Sequence, residues 1–233
     1  MRKGFWKRLG IKLTPHQLLP RLGVFARTIS RMERTPHSAL IHATARRKSI
    51  LKYGKPFIEL FPVVKISARG ADFRIEPTET AGESAVGIGI FHNAHHGHGE
   101  PLARVKIGFE KHSVIIEAIQ GTKPNDNKYV MSNQELMHVF KKTTGMTWPR
   151  YLITQIEKHA SAMGFKRVKI IKPEKNNYYD WHLAPRDGKT YPQSPDVQKR
   201  MRALYYGVAR NMHYYADGDY LVKELGETHG NRK

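Results

Sequence analysis

The chain contains no cysteine, which excludes a disulfide scaffold, a thiolate zinc site and a cysteine nucleophile. It also lacks any uninterrupted apolar run of about 18 residues, the length a membrane-spanning helix needs. A mean hydropathy of -0.58 agrees with that. No apolar h-region with a small-residue cleavage site follows the first charges, so the expected location is cytoplasmic rather than secreted. Acidic side chains are scarce: 20 Asp+Glu stand against 40 Lys+Arg, a net charge of +20. Such a surplus attracts polyanions, whether nucleic acid, ribosome, anionic lipid or phosphorylated ligand, and is silent about fold. The sequence has no Walker loop, no H-E-x-x-H and no G-x-S-x-G, and no G-x-G-x-x-G joins a strand to a helix. At 233 residues the chain is long enough to bury an ordinary core without staples.

The charge is unevenly distributed. Residues 1–55 hold fourteen Lys/Arg against Glu33 alone, a net of +13, and the other 178 residues carry the remaining +7. The first segment therefore reads as a basic arm, partly helical or disordered. In it Phe5, Trp6, Leu9, Ile11 and Leu13 alternate loosely with Lys3, Lys7, Arg8 and Lys12, and a second knot, Arg46, Arg47 and Lys48, leads toward the body. Three readings stand for the arm: a solvated extension, an organelle transit segment, or a surface docking on RNA or ribosome. In the last, cations meet phosphates and rings stack on bases.

Residues 56–225 read as one domain, with 226–233 as a frayed tail. Phe57–Phe61 and Val63–Ile66 read as strand, followed by Ala71–Ile75, the apolar run Ala85–Phe91, and two runs with period-two patterning, Ala103–Phe109 and Ser113–Ile119. This is a meander of about four antiparallel strands. Ser132 with Glu135 forms a capping box for a helix over about 132–143, closed by Gly145. A second helix opens near Trp148 with Pro149 in its first turn and stops at Gly164; Val168–Ile171 follows as a strand. A long loop leads to Ser194-Pro195-Asp196, which caps a third helix, and Asp219–Leu225 is the closing strand. Strands in series followed by strand–helix–strand predict an α+β domain: a mixed, mainly antiparallel sheet flanked by helices.

From residue 103 to 225 the chain resembles the GCN5-related N-acetyltransferase (GNAT) superfamily. The resemblance rests on the hairpin Ala103–Phe109 with Ser113–Ile119 and on the helix ending Ala160-Ser161-Ala162-Met163-Gly164-Phe165 before a strand. It rests also on Tyr205-x-x-x-Ala209 followed by Tyr214, with Lys223 and Leu225 beyond, similar to the family's closing YxxxAxxxGY … K-L. It implies an acetyltransferase-like fold in which acyl-CoA, acetyl-CoA or another, lies where the family's fourth and fifth strands splay apart. The pyrophosphate would rest on backbone amides at a helix N-terminus. The matching turn here is Thr143–Arg150. It carries one glycine where the family has two, Pro149 removes an amide donor, and an additional helix precedes it. Gly145, Thr147 and Arg150 are the implied cofactor contacts, with Lys142 able to add charge.

The resemblance also implies Glu117 as the base, or the residue positioning a water for that role, and Tyr205 as the acid that reprotonates the thiolate, with Tyr206 as its fallback. Period two places Glu117 on the side of Ile115 and Ile119, opposite Val114, Ile116 and Ala118, so at least partial burial is expected. A solvent-facing Glu117 and a core Tyr205 remain the alternative.

Two other strings stand out. His92, His95, His96 and His98 with Glu100 offer imidazole ligands for zinc, yet there is no second ligand cluster, so a loop or a phosphate contact reads as well and no metal is expected. The loop from Lys172 to Gln193 sets Tyr178, Tyr179, Trp181 and Tyr191 beside cations, which suits base stacking or simple anchoring to the core. His138 and His159 read as surface or satisfied helix residues. Two functions follow from the sequence: an acyltransferase moving an acyl group from acyl-CoA to an amine, or a non-catalytic member of the same fold that binds RNA or ribosome.

Overall fold

The computed structural model describes residues 48–68, 71–79, 86–92, 101–121, 132–183 and 190–226. Lys7, Arg8, Arg46 and Arg47, expected to contact nucleic acid, and most of the histidine-rich string lie outside them.

The described chain begins in helix. A π-helical turn, Ile50–Gly54, runs directly into α1 (Lys55–Leu60), with Pro56 in its first turn. This corrects the strand expected over Phe57–Phe61. Phe57, Ile58, Leu60 and Phe61 are all buried, and a run this short has too few polar positions for period to tell helix from strand. Gly54 is needed here, because a Cβ on it would lie 2.7 Å from the ring of Phe109.

Strand β1 (Val64–Ala68) opens a meander continued by β2 (Ala71–Glu79), β3 (Val86–His92), β4 (Ala103–Phe109) and β5 (Ser113–Gly121). Each pairs antiparallel with its predecessor. Helices α2 (Asn133–Thr144) and α3 (Trp148–Ala162) then lead to β6 (Arg167–Ile171), which lies parallel to β5. The expected long loop is itself structured: a 3-10 turn (Pro173–Lys175), the short α4 (Asn177–Asp180) and a hairpin of β7 (Trp181–Leu183) with β8 (Thr190–Pro192). Helix α5 (Pro195–Asn211) and the hairpin β9 (Tyr215–Asp217) with β10 (Tyr220–Glu224) finish the fold. The main sheet has eight strands in the order β1-β2-β3-β4-β5-β6-β10-β9. The fold is α+β, with a mostly antiparallel sheet flanked by helices.

Local chemistry fixes the helix ends. At α2 the Ser132 hydroxyl accepts the Glu135 amide at 3.2 Å while the Glu135 carboxylate accepts the Ser132 amide at 2.6 Å, the capping box expected from sequence. Helices α3 and α5 end alike. Phe165 N–H returns to Ala160 and Gly164 N–H to Ser161; Tyr214 N–H returns to Ala209 and His213 N–H to Arg210. These are Schellman motifs, which need a left-handed residue just past the helix. Gly164 supplies it at φ 82°, and His213 supplies it at φ 61°.

The core runs through both halves of the sheet. Ile75, Ile88, Ile90, Val105, Ile107, Val114 and Ile116 pack with Phe140 of α2, Leu152, Ile153 and Ile156 of α3, and Tyr205 and Val208 of α5. Helix α3 also carries His159, buried between Phe57 and Phe61, with its Nε2 2.9 Å from the Phe57 carbonyl oxygen.

Candidate functional site at the parting of two parallel strands

Strands β5 and β6 are in register only from Ser113 opposite Arg167 to Ile116 opposite Ile170. From Glu117 onward β5 continues without β6 beside it. The cause lies on the other edge of β5. There Ile107 faces Ile116 and Lys106 faces Ala118, so Glu117 has no opposite number on β4. One extra residue in one strand is a β-bulge, which bends the strand and sharpens its twist, turning the second half of β5 away from β6.

The bulge also corrects the period-two reading of β5. Residues facing each other across a ladder share a side of the sheet. Ile116 and Ile119 therefore lie together on the side of Ile107 and Val105, while Ile115 and Ala118 lie on the side of Gly108 and Lys106. Glu117 belongs to the second side and is only partly buried. Its carboxyl group rests over Gly108, where a Cβ would stand 3.0 Å from Glu117 Cδ. A glycine in mid-strand thus clears the space the carboxylate takes.

Two side chains bridge the gap. The Tyr205 hydroxyl, reaching in from α5, accepts the Ile119 backbone N–H at 3.0 Å. The Asn176 amide, just past the 3-10 turn, donates to the same hydroxyl at 3.2 Å and to the Glu117 carbonyl at 2.7 Å. Tyr205 and Asn176 are both buried. Burial pushes the Tyr205 phenol up to about 12, against a smaller lowering by the bonds from Ile119 and Asn176; at neutral pH the group is a protonated phenol. Asn176 was not singled out from the sequence. The available signal was its place, a polar residue just beyond the C-terminal end of a parallel strand, where open sheets gather ligand-binding groups.

On the Glu117 side of the sheet, burial holds the Tyr220 phenol above its ordinary value; the Glu110 carboxylate adds to this, Lys169 opposes it, and Asp219 and Glu117 contribute less. Lys169 pairs with Glu110 at 2.7 Å and lies over the Tyr220 ring. Glu117 therefore stands among polar, titratable neighbours.

Beside the parting lies a cavity of about 530 Å³ walled by α2, the first turn of α3 and α5. The Trp148 ring connects the two places: it lines the cavity and lies 3.6 Å from where a Cβ on Gly121, the last residue of β5, would be. At this end of α3 the Thr147 side chain makes no capping bond, no acid occupies the first turn, and Pro149 brings no N–H. Tyr151 N–H bonds back to Thr147, leaving the amides of Trp148 and Arg150 with no carbonyl one turn behind them. Arg150 lines the cavity, and its Nε is buried with no hydrogen-bond partner among the described residues. A buried guanidinium N–H without an acceptor costs the full desolvation of that donor. Opposite stands Gly207, in the middle of the seventeen-residue α5, with nothing within 4 Å of where its Cβ would be.

The residues named from sequence thus fall into groups. At the parting Asn176 joins the Tyr205 hydroxyl to the backbone carbonyl of Glu117, while the Glu117 carboxyl lies over Gly108. Thr147 and Arg150 line the cavity; Gly145 is the left-handed cap of α2, at φ 69°, and its N–H returns to Lys141. Lys142 is exposed. Tyr206, the fallback acid, donates to Glu174 at 2.9 Å. Lys48 is exposed at the start of the first described helical turn. His92 is half-buried, its ring 5.6 Å from that of Phe73, and among the described residues no three side chains are grouped to hold a metal. No helix among them is long and apolar enough to cross a membrane. No family model, no curated protein and no solved structure matches the chain, so the functional reading rests on this geometry.

Proposed function

We propose that the chain is a GNAT-like N-acyltransferase that moves an acyl group from acyl-CoA to an amine. The observation carrying this reading is the cavity at the N-terminus of α3: the Arg150 Nε is buried without a hydrogen-bond partner among the described residues, the first turn has no side-chain cap, and no carboxylate is among the described residues that line the space. A helix N-terminus with an uncompensated guanidinium suits a pyrophosphate. The open space beside Gly207 gives such a ligand room against α5. Support comes also from the neighbouring parting of β5 and β6, in the place where the family splays its sheet.

Acyl-CoA supplies an activated thioester: the amine nitrogen forms a bond to its carbonyl carbon and the carbon–sulfur bond breaks. Glu117 takes the proton the amine releases, directly or through a water. Tyr205, kept protonated by burial, returns a proton to the departing sulfur. Both groups adjoin the same stretch of β5.

A second reading, a non-catalytic member of the same fold that binds RNA or ribosome through its basic surface, is favoured by one specific observation. The Ile119 N–H and Glu117 carbonyl, backbone groups an extended ligand in the parting would use, are already paired with Tyr205 and Asn176.

Calorimetric titration with acetyl-CoA at moderate salt, with ATP as polyanion control, separates the two. The acyltransferase reading expects micromolar binding of acetyl-CoA in excess of ATP, lost in Arg150→Ala. Equal weak binding of both ligands that fades with salt sinks it and leaves the basic surface.

A further inference from the structure

Helix α2 is the segment with no counterpart in the resemblance, yet it forms one wall of the cavity. Gln134, Met137, His138 and Lys141 all line it, a spacing of three, four and seven that sets them on one face of the helix. Met137 is half-buried; Gln134, His138 and Lys141 are exposed. The wall therefore has an apolar part and a polar, basic rim. Across from it, Leu204 and Gly207 of α5 form the other side and Asn211 its exposed edge. A slot with Met137 on one side, Leu204 on the other and hydrogen-bonding groups at the rim fits the flat ring and polar edge of a nucleoside.

The positive charge in this slot comes in two places. One is the floor, with Arg150 and the α3 N-terminus; the other is the α2 rim, with Lys141 and His138 nearby. Among the described residues no carboxylate lines the cavity to neutralise either. A ligand satisfying only the floor leaves the rim unused, so the matching ligand bears anionic groups at two separated positions. Gly207 is an independent pointer to an occupant. Glycine within a helix is destabilising relative to alanine, and among the described residues no atom beyond its own helix backbone lies close enough to require it. A ligand surface against α5 would.

Resting on the acyl-CoA reading and extending it, we infer that α2 makes the site selective for a 3′-phosphorylated nucleotide. The 5′-pyrophosphate of CoA lies on Arg150 and the α3 N-terminus, the nucleoside between α2 and α5 over Gly207, and the 3′-phosphate against Lys141. The basic helix acts as a reader of that phosphate, separating CoA from its 3′-dephospho form.

The test is calorimetry on the full chain with acetyl-CoA, 3′-dephospho-acetyl-CoA and adenosine 3′,5′-bisphosphate. Expected is binding about tenfold weaker for the dephospho form, the worth of one charge-assisted contact, with the difference erased by Lys141→Ala. Gly207→Ala is expected to raise the melting temperature while weakening both CoA forms, and a merely structural glycine would not couple the two. Equal affinity for the two forms in the unaltered chain, or a difference that survives Lys141→Ala, overturns the assignment and leaves the acyl-CoA reading standing. Absence of any acetyl-CoA binding overturns the acyl-CoA reading itself, and the assignment with it.

Discussion

The phenolic oxygen of Tyr205 accepts the backbone N–H of Ile119 at 3.0 Å, joining the middle of α5 to the half of β5 that has no β6 beside it. Tyr205→Phe removes that acceptor and leaves the Ile119 N–H and one Asn176 donor buried without it. The expected loss of stability is about 1–3 kcal/mol, read from urea denaturation as a lower midpoint at unchanged slope. An unchanged midpoint would show that water replaces the phenol without cost. If the acyltransferase reading holds, the same variant also lowers kcat more than it raises KM.

The titration of Tyr205 gives a pH dependence of definite sign. Its folded value of about 12 lies above the ordinary 10.0. Between these values the unfolded chain has released the proton and the folded chain retains it, so stability falls as pH rises through this window and is fully present below pH 10. Two units correspond to about 2–3 kcal/mol for this group. Tyr214 is also held well above its usual value, by burial first and by the Glu157 carboxylate second. Denaturation across pH 9–12 is expected to show a steep loss in the unaltered chain and a shallower one in Tyr205→Phe. Parallel curves would refute the assignment.

Gly108→Ala tests the placing of Glu117. The new methyl group would run into the Glu117 carboxyl, the far end of a flexible side chain, which shifts more readily than backbone. Small loss of stability and a large loss of acyl transfer are expected, with acetyl-CoA affinity kept. Should transfer persist at the original rate, Glu117 has no part in moving the proton.

His213 is the described non-glycine residue at positive φ, and it stands where the family's closing motif has glycine. An L side chain in the left-handed region is strained, and the hydrogen bonds at the end of α5 repeat those that α3 makes around Gly164. His213→Gly should therefore stabilise the fold by up to about 1 kcal/mol, seen as a higher melting temperature. A decrease would mean that the imidazole makes a contact worth more than the strain.

What the sequence made legible was what short-range chemistry decides. Ser132 and Glu135, Gly145, Gly164, Pro149 and Ser194 located helix ends because caps and breakers act within four residues. The α+β class followed from strand periodicity. Phe57–Phe61 was misread because five residues, four of them apolar, are too short a run for period to tell helix from strand. The bulge at Glu117 was invisible: it is a relation between β4 and β5, and the alternation that placed Glu117 with Ile119 assumed a ladder with no extra residue. Asn176 was missed for a similar reason, since its partners, Glu117 and Tyr205, lie 59 and 29 residues away. Arg150 came from the resemblance of the turn Thr143–Arg150, while Gly207, inside a helix, gave no local signal.

The four-residue contact between β5 and β6 has a mechanical consequence. Every backbone ladder joining the five-stranded meander to the trio of β6, β10 and β9 passes through Ser113–Ile116 and Arg167–Ile170. The eight strands are thus two plates hinged along a short seam, with α3 as the covalent strap and the Tyr205–Asn176 pair as a clasp at the open end. Force or solvent parts this sheet first at the clasp. In amide exchange, Ile119 is the hydrogen expected to go well before those of its own strand at Val114 and Ile116, and the plates separate there while each remains whole.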